Sequence, residues 1–373
     1  MTRQAFITGD PFRHTRSIVV KVGSAVLGGA GGLDADVLDQ LARQIAELRT
    51  GSKTVTLVSS GAVLAGRSAL GMTRPTDLAR LQAIAALGQR RLMDAWAAAF
   101  AKRGLDVGQL LLTRADADDR QRFLNLRDCL RAVHELDAVP VVNENDTIGT
   151  EELTSFGDND LLAAVISAAI HADALVLLST APGLVGGDGG VIDVVDDLAT
   201  ARRHVFTGTD AKGADGRGGM ASKLDAATIV CGAGAWMAIA DGRRPNVLTD
   251  LFAGDTVGTV FKPTHTRRTG RSLWIGTART VGVVHVDDGA AKALRGGDAS
   301  LLPIGVLGAT GSFSRGDIVA IHDPTGTAIA RGLVRYDSAD IPRIAGRRTP
   351  DLADLDPPAN YDEVIHRDDL VLS

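Results

Sequence analysis

The stretch AVPVVNENDTIGTEELTSFGDNDLLAAVISAAI, residues 138–170, has the pattern of a buried strand, a polar loop and a helix, which is typical of an α/β fold. A β-branched run around Val141 ends at NEND, residues 143–146, and an apolar helical segment begins only after GDND, residues 157–160. Taken alone, NEND is typical of a turn and Asp158 of a helix N-cap. Ligands of open parallel sheets bind beyond the carboxyl ends of the strands, so the stretch also predicts a site.

The composition indicates an α/β protein of two domains. At 373 residues the chain exceeds the ~100–200 residues that are usual for one domain. With 45% hydrophobic residues, 4% aromatic residues and 43 glycines, it fits an aliphatic core with many tight turns. We expect an N-terminal extension at 1–15, an α/β domain at 16–262, a linker at 263–279, a small β-rich domain at 280–357 and a C-terminal tail at 358–373.

Charge and cysteine usage favour a small ligand and a reducing compartment. The net charge is -5 and no Lys/Arg block occurs, so nucleic acid is not expected as the main partner. Cys129 and Cys231 lack CxxC spacing and lie in apolar helical contexts, which predicts buried thiols rather than zinc ligands or disulfides. Because no signal segment or bilayer-spanning segment is found, we expect a soluble, cytoplasmic protein that does not bind a membrane.

Strand and helix patterns alternate along most of the chain. Strands are predicted at 17–22, 54–58, 108–112, 139–142, 174–178, 236–240 and 258–261, with helical patterns between them. This alternation predicts a three-layer αβα fold with an open, mostly parallel sheet. After residue 271 the pattern changes to short strands at 281–286, 318–322 and 328–334, which predict a small β-rich domain.

Four polar features follow predicted strands and have to be explained together. They are Lys21 with Gly23 and Ser24, Ser60 with Gly61, residues 143–160, and a glycine-rich loop at 213–219 that leads to Lys223. Phosphoryl transfer explains this set, because it needs cations on the transferred group, backbone N–H donors around it and reactants held in line. Lys21 also has an ordinary explanation as a strand-end residue, and 213–219 as a surface loop. The Walker and protein-kinase motifs are absent.

The two lysines suit opposite sides of a phosphate, since each is a compact point charge. Two such ammonium groups repel each other, so a carboxylate between them would lower that cost. Asp158 is the expected candidate, and Asp160 is assigned a supporting role at the helix terminus.

Seven motifs in chain order, VVKVGSAV, VSSGAV, GQLLLTRAD, RFLNLRD, VPVVNEND, GDND and GRGGMASKL, resemble the amino-acid kinase superfamily and, within it, the glutamate 5-kinase family. GSFSRGD at 311–317 and RYDSADIPRIAG at 335–346 resemble the PUA domain of bacterial members, so the resemblance covers nearly the whole chain. It implies ATP-dependent phosphorylation of the L-glutamate γ-carboxylate to glutamyl 5-phosphate, the first step of proline biosynthesis. It also implies a homo-oligomer and feedback inhibition by proline.

The resemblance assigns roles to individual residues on the glutamate side. Ser60, Asp146 and Asn159 match substrate-binding positions, and Asn143 lies beside them. The chemistry agrees, because an anion such as Asp146 can hold an α-ammonium group, and Ser and Asn can donate hydrogen bonds to carboxylates.

On the phosphate side, Lys21 and Lys223 match the phosphate-binding lysines and Asp158 the carboxylate that organises them. The positions assigned to nucleotide binding are Lys21, Gly23, Ser179, Thr180, Arg217, Gly218, Gly219, Met220 and Lys223. ATP is the expected co-substrate and Mg²⁺ is expected with its phosphates, but no protein ligand of a metal can be identified from the sequence.

Two departures from the family pattern concern the nucleotide side. Thr180 is followed by Ala181 where the family has a Thr-Asp pair, and Arg217 occupies the glycine loop where a small residue is usual. Both changes bear on nucleotide contacts rather than on glutamate contacts.

An alternative is an amino-acid-responsive, RNA-binding regulator with a decayed kinase half. Residues 280–357 contain eight Lys or Arg against ten Asp, with Phe313 and Tyr336 as the aromatic residues. RNA-binding modules usually need a basic face and stacking platforms, so this composition argues against RNA binding. Retention of both lysines also argues against decay of the kinase half.

Overall fold

A computed structural model of the chain describes residues 12–72, 77–149, 159–207, 219–264, 270–297, 299–352 and 361–372. The chain divides into two compact units, Met1–Arg268 and Thr269–Ser373. Each unit has its own main sheet. The division between the units falls within residues 263–279, where the sequence predicts a linker.

The first unit alternates strands and helices. Its strands are β1 (Ser17–Val22), β2 (Gly28–Gly29), β3 (Gly32–Leu33), β4 (Thr54–Ser59), β5 (Val107–Leu112), β6 (Val139–Glu144), β7 (Ala174–Ser179), β8 (Val194–Val195), β9 (Trp236–Asp241) and β10 (Thr259–Phe261). Its helices are α1 (Ser24–Leu27), α2 (Ala35–Thr50), α3 (Ala62–Leu70), α4 (Leu78–Ala101), α5 (Arg114–Asp118), α6 (Arg120–Glu135), α7 (Asn159–Ala169), α8 (Leu198–Thr207), α9 (Met220–Gly232) and α10 (Val247–Ala253).

The main sheet of this unit has eight strands in the order β5-β6-β4-β1-β7-β9-β10-β8. The strands from β5 to β9 in this order pair in parallel, β10 is antiparallel to β9, and β8 pairs in parallel with β10. The mostly parallel α/β sheet that the sequence predicts is therefore confirmed. The short pair β2-β3 forms a separate hairpin.

Helices cover both faces of the main sheet and give the three layers. One hydrophobic core packs α2, α4 and α10 against the face that contains Val20 and Val141, and a second packs α6, α7 and α9 against the face that contains Val19. Successive residues of a strand point to opposite faces. Lys21 therefore shares the face of Val19, toward α7 and α9, whereas Asn143 shares the face of Val141, toward α4.

The second unit is β-rich, as predicted. Its elements are α11 (Gly270–Thr277), β11 (Gly282–Val286), α12 (Asp288–Arg295), β12 (Val306–Gly311), β13 (Ile318–His322), β14 (Ala328–Leu333), α13 (Ile341–Ile344) and β15 (Leu370–Leu372). The sheet order is β12-β11-β13-β14-β15. The edge strand β15 lies in the residues that the sequence assigns to the tail, and α11 lies in the residues assigned to the linker.

Two further expectations can be compared with the fold. Cys231 is buried as expected, but Cys129 is exposed, because it lies on the outer side of α6 while Leu126 and Leu130 face the core. Within the described residues, the helices are all too short or too polar to cross a membrane.

Candidate active site

Two lysines and one aspartate form a buried ion-paired triad beyond the carboxyl ends of the central strands. Lys21 Nζ lies 2.6 Å from Asp160 Oδ1, and Lys223 Nζ lies 3.0 Å from Asp160 Oδ2. The Asp160 side chain is fully buried and each lysine side chain is 8% exposed. One carboxylate thus contacts two ammonium groups.

Three different elements bring the triad together. Lys21 is the penultimate residue of β1 and points toward α7 and α9, Asp160 is the second residue of α7, and Lys223 lies in the first turn of α9. Burial alone would raise the pKa of Asp160, but the ammonium groups of Lys21 and Lys223 outweigh it and hold that pKa below its usual value. The carboxylate is therefore ionised and the pair of cations is preorganised for an anion.

The structure gives Asp160 a contact that the sequence assigns to Asp158. Asp160 supplies a carboxylate that contacts both lysines, so its role is not limited to support of the helix terminus. It can reach them because it lies in the first turn of α7 and is fully buried there. Asp158 lies outside the described residues.

A second group of polar side chains is linked by hydrogen bonds between amides and a hydroxyl. Asn159 Nδ2 donates to Ser60 Oγ at 2.8 Å and to Asn143 Oδ1 at 2.9 Å. Asn143 Nδ2 in turn donates to Gln89 Oε1 at 2.8 Å. Three of the residues expected on the glutamate side are therefore in direct contact, and Gln89 of α4 is a member that the sequence did not reveal. We call Gln89, Asn143, Asn159 and Ser60 the amide chain.

Ser60 is held in place by the turn between β4 and α3. The buried Trp96 of α4 donates from Nε1 to Ser59 Oγ at 2.8 Å, and Ser59 Oγ donates to the Ser60 carbonyl at 3.0 Å. The Ser60 N–H donates to the Val22 carbonyl at 3.1 Å. Gly61 follows with φ of 115°, a left-handed conformation that favours glycine. The backbone of Ser60 is therefore fixed by β1, by α4 and by this turn.

Asp146 is buried in the turn that follows β6, with 7% of its surface exposed. The turn is tied to β5 by Asn145, whose N–H donates to the Leu112 carbonyl at 2.7 Å. The Asn145 carbonyl then accepts hydrogen bonds from Ile148 and Gly149. This part of the chain is a turn, as its composition indicates, and it also places a buried carboxylate at the strand ends.

The residues assigned to the nucleotide lie on several loops. Gly23 precedes α1 and donates from its N–H to the Leu178 carbonyl at 3.1 Å, and Gly219 and Met220 start α9 ahead of Lys223. Ser179 ends β7, where its Oγ accepts from the Ala181 N–H at 3.0 Å, and Thr180 is exposed. Arg217 and Gly218 lie outside the described residues.

Comparisons with known proteins identify two families in the chain. The amino acid kinase family matches residues 16–241, and the PUA domain matches residues 282–354. A glutamate 5-kinase of Chromohalobacter salexigens is 42% identical over 378 residues, covering 100% of both chains. A glutamate 5-kinase of Streptomyces coelicolor is 44% identical over 376 residues, covering 96% of this chain and 97% of that protein.

One solved structure has a similar fold. It is the N-acetylglutamate synthase from Neisseria gonorrhoeae in complex with coenzyme A and N-acetyl-glutamate, with a TM-score of 0.51 and 17% sequence identity. The similarity covers 68% of this chain and 62% of that chain, which is less than two thirds of its length. At this identity the comparison concerns the fold alone.

Proposed function

Because the chain belongs to the amino acid kinase family and, within it, to the glutamate 5-kinases, we propose that it transfers the γ-phosphoryl group of ATP to the side-chain carboxylate of L-glutamate. A γ-carboxylate oxygen attacks the γ-phosphorus, and the bond between that phosphorus and the β,γ-bridging oxygen breaks. ADP leaves with the bond electrons, and glutamyl 5-phosphate is the product. This reaction is the first step of proline biosynthesis.

The single observation that supports this reaction best is the contact of one buried carboxylate with two lysines. Phosphoryl transfer spreads negative charge over the equatorial oxygens and over the leaving oxygen. Lys21 and Lys223, which both contact the Asp160 carboxylate, place two ammonium groups side by side where this charge would develop. Preorganised charge of this kind stabilises the transition state without reorganisation during the reaction.

The amide chain and Asp146 supply the glutamate side of the proposal. Ser60, Asn143 and Asn159 bring hydroxyl and amide groups together beyond the ends of the adjacent strands β4 and β6. Asp146 adds a buried carboxylate in the turn after β6, and we assign it to the α-ammonium group of glutamate. The γ-carboxylate of the same molecule then extends toward the lysines.

ATP lies on the other side of the lysines in this proposal. Gly23, Ser179, Thr180 and residues 217–220 are assigned to the nucleotide, together with the lysines themselves. We assign Mg²⁺ to the ATP phosphates, because this ion usually keeps several waters and is bound with the phosphates of the substrate.

Several consequences of family membership stay predictions for this chain. They are a homo-oligomeric state, feedback inhibition by proline and a cytoplasmic location. The RNA-binding regulator is not proposed, because both lysines and their carboxylate are in place and the full-length relatives are kinases by name.

The test is ADP release from ATP with glutamate, aspartate, N-acetylglutamate and no amino acid. We expect turnover with glutamate that exceeds each of the other reactions by at least about tenfold, since a site built for polar groups rejects analogues that leave those groups unpaired. Equal turnover with all four would contradict the proposal.

A further inference from the structure

Gln89 has no role in the reaction described above, yet it forms one end of the amide chain. It is half-buried on α4, and its Oε1 accepts a hydrogen bond from Asn143 Nδ2 at 2.8 Å. A carboxamide has a donor end and an acceptor end, so a hydrogen bond at one end fixes which end faces the next residue. Because Asn143 Nδ2 donates to Gln89, Asn143 Oδ1 faces Asn159 and accepts its hydrogen bond.

The same direction of hydrogen bonding continues to Ser60, the other end of the amide chain. Asn159 Nδ2 has two hydrogens, and it donates to both Asn143 Oδ1 and Ser60 Oγ. Asn159 Oδ1 is buried and accepts no hydrogen bond from the described residues. A buried amide oxygen that lacks a protein donor is costly unless a ligand provides one.

The result is one acceptor and one donor at neighbouring positions. Asn159 Oδ1 is the acceptor, and the Ser60 hydroxyl, which already accepts from Asn159, keeps its own hydrogen for a ligand. An α-amino acid has one cationic donor group and one anionic acceptor group on the same carbon. The amide chain therefore offers an acceptor for the ammonium group and a donor for the carboxylate. If the Asn159 amide were reversed, its nitrogen would replace the acceptor with a second donor.

The packing of α4 keeps Gln89 within hydrogen-bonding distance of Asn143. A Cβ at Gly88 would lie 1.8 Å from the Ala62 carbonyl oxygen, so α4 packs directly on the backbone of α3. Seven residues after Gln89, Trp96 donates to Ser59 beside the other end of the chain. The same helix thus supplies one end of the amide chain and contacts the residue that precedes its other end.

We propose that Gln89 is a positioning residue which, through Asn143, orients the Asn159 amide so that its oxygen accepts from the α-ammonium group of the substrate. The inference rests on the proposed function, since it assigns the amino-acid head group to the same site.

The test is Gln89→Met, which removes the hydrogen-bond acceptor and keeps a side chain of similar size. Glutarate is the probe, because it has both carboxylates of glutamate and no ammonium group. We expect Gln89→Met to raise the glutamate KM about tenfold or more, with kcat within about twofold and ATP KM unchanged, because head-group binding is similar in the ground and transition states. The Ki of glutarate against glutamate should change by less than about twofold, so the ratio of glutarate Ki to glutamate KM should fall about tenfold.

Two further variants and a control complete the design. Gln89→Leu also lacks the acceptor and should give the same fall in the ratio, whereas Gln89→Glu keeps an acceptor oxygen and should retain the wild-type ratio. Gln82→Met places the same substitution two turns earlier on α4 and should have no effect. An unchanged ratio in Gln89→Met and Gln89→Leu, or an equal loss of glutamate and glutarate binding, would overturn the inference. Absence of glutamate-dependent turnover in the wild type would instead overturn the proposed function.

Discussion

The carboxylate of Asp160 lies 2.6 Å from the ammonium group of Lys21 and is completely buried. The same carboxylate contacts Lys223, so one anion lies between the two cations. Removal of one partner from a buried ion pair leaves an uncompensated charge, which is strongly unfavourable. Loss of the Asp160 charge would therefore affect both lysines at once.

Asp160→Asn should lower kcat by on the order of 10²-fold or more, because the neutral amide no longer holds two ammonium groups in the geometry that the transition state requires. The same substitution at Asp158, two residues earlier, is the matched variant. Steady-state kinetics and thermal unfolding of both variants provide the measurement. If Asp158→Asn lost as much kcat and Asp160→Asn retained it, the organising carboxylate would be Asp158.

Replacement of either lysine with Ala should also lower kcat by about 10²-fold or more, with a smaller change in glutamate KM, since both cations act on charge that develops during transfer. The comparison variant is Lys262→Ala, which removes a lysine that pairs with Asp196 on the surface of the same unit. A near-normal kcat in Lys223→Ala would remove that residue from the site.

Asp146→Asn should raise the glutamate KM by about tenfold or more while the ATP KM stays within about twofold. The reason is that a charge-assisted hydrogen bond to the ammonium group becomes a neutral one. Separate titrations of glutamate and ATP distinguish the two effects. A shift of the ATP KM instead would mean that the two halves of the site are assigned in reverse.

Much of the fold could be predicted from the sequence, because period-two apolar runs and helical runs report local structure directly. The strand Ser17–Val22 is observed where the pattern predicts it, and the ends of the other predicted strands lie within two residues of the observed ends. The sequence does not predict β12, because VLGATG has two glycines and weak alternation, or β15, because three residues give no readable pattern.

The site was less predictable, because its contacts join residues far apart in the chain. Lys21 and Lys223 could be proposed as a pair from their motifs, but the contact of Asp160 with both lysines depends on its position in the first turn of α7. Helix boundaries are the least certain part of a prediction from sequence. Gln89 gave no signal, since a glutamine on a half-buried helical face is ordinary and only the packing of α4 beside β6 brings it to Asn143.

The half-buried side chain of His134 should make the stability of the protein depend on pH. Its Nε2 lies 2.9 Å from Thr56 Oγ1, and burial, together with the charge of Arg49, lowers its pKa from 6.5 to about 4. Because the unfolded chain binds the proton more readily, this contribution is fully present above pH 6.5 and is lost as the pH falls toward 4. Melting temperatures between these values should therefore fall with pH, and His134→Gln should reduce that fall. An identical pH profile in the variant would contradict this assignment.

The second unit should be separable from the chemistry, because all of the proposed site residues lie before Arg268. A chain that ends at Arg268 should keep glutamate-dependent ATP turnover within about tenfold of the full chain. Turnover, circular dichroism and retention of RNA at moderate salt would be compared for the two proteins. A folded but inactive truncation would show that the second unit is needed for activity. Tight, salt-resistant RNA binding by the full chain would support the alternative function as an RNA-binding regulator.

The most direct measurement of the central claim is the identity of the phosphorylated product. The full chain would be incubated with ATP, Mg²⁺ and L-glutamate in the presence of hydroxylamine, which converts an acyl phosphate into a hydroxamate, and the product would be examined by mass spectrometry. We expect γ-glutamyl hydroxamate in an amount that matches ADP released, and loss of this product in Lys223→Ala. Release of ADP and inorganic phosphate without hydroxamate, or a hydroxamate at the α-carboxyl group, would contradict it.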